Sequence, residues 1–255
     1  MKIGDFLQKL HKKIRFRLNE TGYTCDHCGA EVFSYPKERL CLACEEKLEK
    51  NDGFACKKCG RKTATEGVCL TCKSALPSFS VGYSPFVYRG ETALLVNRMK
   101  NSTPRLACYF GEKMADYLSQ KRSKLFDAKI SVLVLPVPLT KEREGERGYN
   151  QAYLLAENLC KRLEDLGIKT ELGREVLLKI RETGMQKHMT RKERAENVKG
   201  AFHLHKRKLC RERTVILVDD IMTTGATASE CAKKLIGAGA QEVMLLVAAA
   251  LPERK

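Results

Sequence analysis

The sequence lacks the hallmarks of a membrane-spanning or secreted protein. It contains no run of 18 apolar residues, so we expect no transmembrane helix. Its N-terminus has neither the apolar core nor the cleavage site of a signal peptide. We therefore expect a cytoplasmic protein whose 12 cysteines stay reduced, with the inner face of the membrane as a second location.

Acidic and aromatic residues are both scarce. There are 31 Asp and Glu against 47 Lys and Arg, a formal net charge of +16, and only 7% of the residues are aromatic. The positive excess favours a polyanionic partner: nucleic acid, an acidic membrane surface or an anionic substrate. With few rings to stack on bases, nucleic-acid binding would depend on backbone charge and would be salt-sensitive and weakly sequence-specific.

Residues 1–20 are predicted to form a basic amphipathic segment. Five apolar residues recur with helical spacing on one face: Ile3, Phe6, Leu7, Leu10 and Ile14. Such a helix could touch lipid or nucleic acid, or it could dock on its own domain.

Cysteines are concentrated in residues 25–72, as four Cys-x-x-Cys pairs. Paired thiolates at this spacing can reach one ion at about 2.3 Å, and four of them close a tetrahedral structural zinc site. We therefore expect two structural Zn²⁺ ions per chain, bound by Cys25, Cys28, Cys41, Cys44, Cys56, Cys59, Cys69 and Cys72.

The cysteine segment is an internal repeat. Cys25-Asp-His-Cys-Gly29 matches Cys56-Lys-Lys-Cys-Gly60, and each is followed by a pair that looks like a helix start. We expect sequential pairing, with the first four cysteines on one ion and the last four on the other. An interleaved arrangement is the alternative. Lys57, Lys58, Arg61 and Lys62 form a basic loop that could lie on a phosphate backbone.

The residues from Val215 to Ile236 read as strand, polar turn and helix. Val215 to Val218 are branched and apolar, Asp219 and Asp220 follow, and a Thr/Gly/Ala run precedes a helix. Free amide groups at a helix N-terminus favour a phosphate. Because two carboxylates repel phosphate, they suit ribose hydroxyls or a divalent cation, so a phosphorylated sugar fits both halves.

This stretch resembles the phosphoribosyl pyrophosphate (PRPP) motif of type I phosphoribosyltransferases. The resemblance implies that Asp219 and Asp220 hold the ribose and that the following loop wraps the 5′-phosphate, with Mg²⁺ bound alongside PRPP. The full set of implied PRPP-binding residues is Asp219, Asp220, Ile221, Met222, Thr223, Thr224, Gly225, Ala226 and Thr227.

Further motifs narrow the resemblance to the ComF family of competence proteins, over residues 25–250. They are Arg147-Gly-Tyr-Asn-Gln-Ala152, Arg181-Glu-Thr-Gly-Met-Gln186, Arg194-Ala-Glu-Asn-Val-Lys-Gly-Ala-Phe202 and the paired cysteines. By analogy with phosphoribosyltransferases, a pyrophosphate loop would include Pro138, Lys141, Arg143 and Arg147. A flexible lid would include Arg181, Thr183, Gln186, Lys187 and Arg191.

The predicted fold is α/β: a type I phosphoribosyltransferase-like parallel sheet flanked by helices, preceded by a small zinc module with two four-cysteine sites. The expected divisions are 1–20, 21–79 and 80–255. Predicted strands are Ile130–Leu135, Val176–Ile180, Val215–Val218 and Glu242–Ala250, and residues 74–90 are read as a link.

Three functions are compatible with these patterns. The first is a protein of natural transformation that binds PRPP and single-stranded DNA, working beside competence proteins such as a helicase or translocase. The second is a metabolic phosphoribosyltransferase for a nucleobase or amine, although no base-binding hood is recognisable. The third is a non-catalytic PRPP sensor. Residues 179–213, with 12 Lys and Arg against 4 Asp and Glu, predict a polyanion near the mouth of the site.

Overall fold

The computed structural model describes residues 24–33, 38–122, 131–184 and 190–253. The predicted N-terminal segment, residues 1–20, therefore lies outside the described residues. Within them, no helix is both long and apolar enough to cross a bilayer.

The architecture is a parallel sheet between layers of helices, and eight strands are described. They are β1 (Val81–Tyr83), β2 (Phe86–Val87), β3 (Val132–Pro136), β4 (Thr170–Leu172), β5 (Leu177–Lys179), β6 (Phe202–Leu204), β7 (Thr214–Met222) and β8 (Glu242–Ala250). The main sheet has the order β1-β8-β7-β3-β4, and β2 also pairs with β8. All of these pairs are parallel, with Val218 opposite Leu246 and Pro136 opposite Val218.

Eight α-helices accompany the strands in the described residues. They are α1 (Leu42–Glu45), α2 (Leu70–Ser74), α3 (Gly90–Asn101), α4 (Leu106–Lys121), α5 (Lys141–Arg147), α6 (Gln151–Asp165), α7 (Arg191–Val198) and α8 (Ala226–Ile236), with a 3₁₀ turn at Arg207–Cys210. Side-chain caps from Thr140 and Asn150 begin α5 and α6.

The central strands are buried on both faces. Val132 and Val134 of β3 belong to the apolar core that includes residues of α3, α4 and α6. Leu133 and Leu135 point the other way, into the core shared with α8 and the β5-β6 pair. This two-sided burial explains the near-continuous apolar runs, which were correctly predicted to be strands of a parallel sheet.

One strand and one link predicted from the sequence are wrong in their placement. Leu177–Lys179 pairs antiparallel with Phe202–Leu204, in a separate two-stranded sheet. The main sheet instead takes Thr170–Leu172 beside β3. The segment 74–90, read as a link, supplies β1 and β2. Each of these strands has at most three residues, too few for a hydrophobic period to be visible.

The paired-cysteine repeat straddles the β1 edge of the sheet. Cys25 and Cys44 belong to the core on the α3/α4 side, whereas Cys56 and Cys72 belong to the core on the α8 side. The Gly82 amide of β1 donates to the Lys58 carbonyl at 2.8 Å, so the second repeat also covers the free strand edge. The boundary at residues 79 and 80 stays a prediction.

Candidate functional site

The predicted acidic pair lies toward the carboxyl end of β7, where open parallel sheets bind ligands. Asp220 is 4% exposed, and its backbone N–H donates to Asp219 Oδ1 at 2.8 Å. Burial and the neighbouring Asp220 carboxylate raise the pKa of Asp219 well above its ordinary value. Two carboxyl groups therefore lie side by side with little access to water. Binding of a cation or of hydroxyl donors would stabilise their ionised forms.

Lys100, on α3, is the nearest cation to this pair among the described residues. Its Nζ lies 2.7 Å from Asp220 Oδ2. Burial opposes the charge of Lys100, but the Asp220 carboxylate outweighs it and raises the pKa of the ammonium group. The Tyr149 hydroxyl donates to the Met99 carbonyl at 2.8 Å, which ties the end of α3 to the segment before α6. Sequence reasoning had not placed Lys100 in the site.

The turn after β7 presents backbone donors to a ligand. Gly225 has φ +78°, a conformation that favours glycine, and begins α8 without a side-chain cap. The Ala226 amide contacts Thr224 Oγ1 at 3.4 Å, and the Ser229 amide makes the first helical bond, to the Gly225 carbonyl. The first turn of α8 thus has N–H groups without helical acceptors, which is the arrangement that binds anions.

Two arginines from distant segments hold the turn at Thr223. Arg61, from the second cysteine repeat, donates Nη2 to the Thr223 carbonyl at 2.7 Å. Arg194, from α7, donates Nη1 to the Thr223 hydroxyl at 3.1 Å. Neither was assigned to the site from the sequence. Arg61 was wrongly included in an open basic loop, since it is only 5% exposed.

The predicted pyrophosphate loop is largely helical. Pro138 precedes α5, which carries Lys141, Arg143 and Arg147. Arg143 pairs with Glu146 at 3.0 Å, and Arg147 donates to the Gln151 side chain. Lys141 is exposed. Their role toward pyrophosphate stays a prediction.

The predicted lid residues are partly engaged in contacts within the chain. Arg181 donates to the carbonyls of Asn197 and Lys199 at 2.9 and 3.0 Å, and Thr183 accepts from Lys179 Nζ at 2.9 Å. Gln186 and Lys187 lie outside the described residues, as does the side chain of Arg191.

The second half of the lid segment is a helix rather than a loop. Arg191 begins α7, whose N-terminus has a capping box in which Thr190 and Glu193 each accept from the other's backbone N–H. Sequence reasoning treated this stretch only as a polar segment.

The basic segment 179–213 does not form one surface at the site. Its last part, from Lys206 to Arg213, lies at the amino end of β7, where Arg213 contacts Glu171 and the Ser131 carbonyl. The steps from Thr214 to Met222 along β7 rise about 3.3 Å each and together span roughly 26 Å, so this part is far from Thr223. This part of the surplus therefore lies away from the turn, whereas Arg194 of α7 contacts Thr223. A polyanion near the mouth of the site stays a prediction.

The eight paired cysteines converge into two clusters. The sulfur atoms of Cys25, Cys28, Cys41 and Cys44 lie within 4.8 Å of one another, as do those of Cys56, Cys59, Cys69 and Cys72. Cys28 and Cys41, and likewise Cys59 and Cys69, have Sγ atoms 3.7 Å apart. A regular tetrahedron with bonds of about 2.3 Å needs sulfurs about 3.8 Å apart. Both clusters fit zinc, and the grouping is sequential rather than interleaved.

The parallel sheet, with the acidic pair and a glycine turn at its carboxyl edge, is the arrangement of a phosphoribosyltransferase-type domain. A family model, the phosphoribosyl transferase domain, matches residues 150–255. Competence protein ComFC of Bacillus subtilis is 30% identical over 210 residues, which cover 80% of each chain. The chain belongs to the ComF family of competence proteins.

Two further relatives align with this chain over larger shares of their own lengths. Competence protein F of Haemophilus influenzae is 28% identical, and the alignment covers 89% of this chain and 97% of that protein. The DNA utilization protein YhgH of Escherichia coli O157:H7 is 26% identical, with coverage of 81% and 88%. The family resemblance drawn from the sequence motifs is thereby confirmed.

Proposed function

We propose that this protein binds PRPP with Mg²⁺ at the carboxyl edge of the sheet and acts on or beside single-stranded DNA during DNA uptake. The observation that carries the proposal is the continuity of β7, the turn and α8. One strand delivers Asp219 and Asp220, and its turn leads directly into an anion-binding helix N-terminus. A sugar hydroxyl face and a phosphate therefore fit within one ligand.

Each part of PRPP has a partner of suitable chemistry. Asp219 and Asp220 accept hydrogen bonds from the ribose hydroxyls, and residues Thr223–Thr227 surround the 5′-phosphate. Mg²⁺, when bound with PRPP, neutralises the pyrophosphate and makes it a better leaving group. The raised pKa of Asp219 supports this assignment, because a ligand cation or hydroxyl stabilises the charge that burial opposes.

Single-stranded DNA is proposed as the second ligand on grounds of charge and family. The chain carries a formal charge of +16, and its relatives are named for competence and DNA utilization. Lys192 and Lys199 are exposed on and beside α7, the helix that reaches Thr223 through Arg194. DNA held there would lie beside the PRPP site. A helicase or translocase of the uptake machinery is a fitting protein partner, at the inner face of the membrane or in the cytoplasm.

Isothermal titration with PRPP and Mg²⁺ tests the ligand. Asp219→Ala with Asp220→Ala should abolish binding, while Asp165→Ala, an exposed carboxylate at the end of α6, should bind as the wild type does. Unchanged binding by the double variant would contradict the site assignment.

Pyrophosphate release separates turnover from sensing. Release from PRPP that requires single-stranded DNA supports the proposed role, whereas release with a free nucleobase or amine supports a metabolic phosphoribosyltransferase. Binding without release under either condition identifies a PRPP sensor. The variant with Asp219→Ala and Asp220→Ala gives the background pyrophosphate release under each of these conditions.

A further inference from the structure

The two cysteine repeats differ at one position that faces the candidate site. After the shared turn Cys-x-x-Cys-Gly, the first repeat has Ala30 and the second has Arg61. The first repeat packs into the core on the α3/α4 side of the sheet, and the second packs into the core on the α8 side. Only the repeat that reaches the turn after β7 carries the arginine. We call this turn, residues 223–227, the phosphate turn.

Arg61 bridges the second cysteine cluster and the turn. Its Nε donates to Cys59 Sγ at 3.3 Å, and its Nη2 donates to the Thr223 carbonyl at 2.7 Å. Arg61 is 5% exposed. One planar guanidinium thus holds a sulfur of the metal cluster and the backbone of the phosphate turn in a fixed relation.

The rest of the second repeat is fitted closely to the sheet, so the bridge has a rigid base. The Asn51 side chain donates to the carbonyls of Gly60 and Ser84 at 2.7 and 2.9 Å. A Cβ at Gly82 would lie 2.6 Å from the Cys59 carbonyl oxygen, which leaves no room to shift. A displacement of the cluster would therefore be transmitted to Thr223 rather than absorbed.

Geometry makes the bridge dependent on metal. Cys59 Sγ is one of the four sulfur atoms of the second cluster and also accepts the bond from Arg61 Nε. A zinc ion would fix that sulfur at one corner of a tetrahedron, and its binding free energy would hold the surrounding segment folded. Without the ion, movement of Cys59 would carry Arg61 with it and release the Thr223 carbonyl.

We propose that Arg61 is a positioning residue through which the second four-cysteine centre, when loaded with zinc, holds the phosphate turn in its ligand-binding shape. The inference rests on the proposed function for its ligand. It gives the second cysteine cluster a role at the site beyond folding its own segment, and it gives the first cluster no such role.

Hydrogen exchange of the peptide containing residues 222–227 tests the bridge without any ligand. Arg61→Ala and Cys72→Ser should both speed exchange there. Two matched controls should not: Lys62→Ala removes a neighbouring charge that faces Asp52 at 3.2 Å, and Cys28→Ser disrupts the first cluster. Arg61→Lys keeps the charge but cannot contact both partners, so hydrogen exchange of this peptide should be intermediate between wild type and Arg61→Ala. If the alanine variant does not fold, Arg61→Lys replaces it in the comparison.

Titration with PRPP and Mg²⁺ is the second readout. Arg61→Ala should weaken PRPP binding by about 10-fold to 100-fold, the range for groups that orient ligand-binding residues. The zinc content of the control variant, Lys62→Ala, should be unchanged. By reciprocity, PRPP should raise the zinc affinity of the second centre, measured by equilibrium competition with a chelator.

The two hypotheses fail separately. Equal exchange in Arg61→Ala and wild type would overturn the role of Arg61, whatever the PRPP result. Absence of PRPP binding by the wild-type protein would overturn the proposed function, and the exchange measurement would still decide the role of Arg61.

Discussion

Lys100 and Asp220 form an ion pair, with Nζ 2.7 Å from Oδ2, across 120 residues of sequence. The pair links α3 to the carboxyl end of β7, and the aspartate side chain is only 6% exposed. A carboxylate so deeply buried needs a counter-charge. Lys100 supplies one in the ligand-free protein, and the ribose of PRPP would compete for the same oxygen.

Replacing Lys100 should therefore destabilise the ligand-free protein. Lys100→Met leaves the Asp220 carboxylate buried without its cation, and we expect a loss of about 2–4 kcal/mol in the free energy of unfolding, near the values for broken buried pairs. Lys100→Met combined with Asp220→Asn should recover most of that loss, because the stranded charge is gone. Urea unfolding of the wild type, Lys100→Met, Asp220→Asn and the double variant measures the coupling energy between the two residues. Additive effects of the two substitutions would show that the ion pair contributes nothing of its own.

Asp219→Asn should stabilise the ligand-free protein at neutral pH. Burial and Asp220 raise the pKa of Asp219 in the folded state, so ionisation favours the unfolded state once the pH exceeds about 3.9. The amide removes this penalty and can still accept from the Asp220 N–H. We expect the melting temperature at pH 7 to rise by about 2–4 °C, the shift for about 1 kcal/mol in a domain of this size.

The pH dependence checks the cause of that gain. At about pH 3, clearly below the ordinary Asp pKa of about 3.9, the carboxyl is mostly protonated in both the folded and the unfolded protein, so the two melting curves should converge. A gain that persists at about pH 3 would point to packing rather than charge. The same variant should lose PRPP binding.

The parts of the fold that could be predicted from the sequence are those with long, repeated patterns. Buried parallel strands such as Val215–Val218 carry apolar residues on both faces, and α6 has a clear helical period over 15 residues. The short strands β1 and β4 were missed because each pairs through its backbone, and three residues carry no period. Their existence depends on neighbours supplied by the rest of the chain.

The candidate site likewise has residues that could be predicted from the sequence and residues that could not. Asp219, Asp220 and the turn are contiguous, so their chemistry is visible in one stretch. Lys100 and Arg61 reach the site only through tertiary packing, and the sequence shows them as ordinary basic residues. The one available clue was that Arg61 replaces the alanine of the first repeat.

Gly82→Ala should dislodge the second cysteine repeat from the sheet edge. A Cβ there meets the Cys59 carbonyl oxygen at 2.6 Å, so the backbone must move, at a cost of about 1–3 kcal/mol. Gly145→Ala on α5 has no atom within 4 Å of its Cβ and should be neutral or stabilising by up to about 1 kcal/mol. Thermal unfolding compares the two, and equal stability of both variants would mean that the edge contact is loose.

Metal analysis should find two zinc ions per chain. Cys28→Ser and Cys72→Ser should each lose one, since the two clusters share no cysteine. Native mass spectrometry of the purified variants counts the ions directly. A wild-type protein with a single zinc, or a single substitution that removes both ions, would contradict two independent sites.

Single-stranded DNA should bind on the α7 side of the molecule, beside the PRPP site. Lys192→Ala with Lys199→Ala removes two exposed charges there, and the slope of log affinity against log salt should become shallower by about 1.4, or about 0.7 per phosphate contact. Lys206→Ala with Lys208→Ala removes the same charge at the amino end of β7 and is the matched control. Fluorescence anisotropy with a labelled oligonucleotide at several salt concentrations measures both slopes. If the control pair causes the larger change, DNA binds roughly 26 Å from the phosphate turn, the span of β7, and the proposed coupling between the two ligands is wrong.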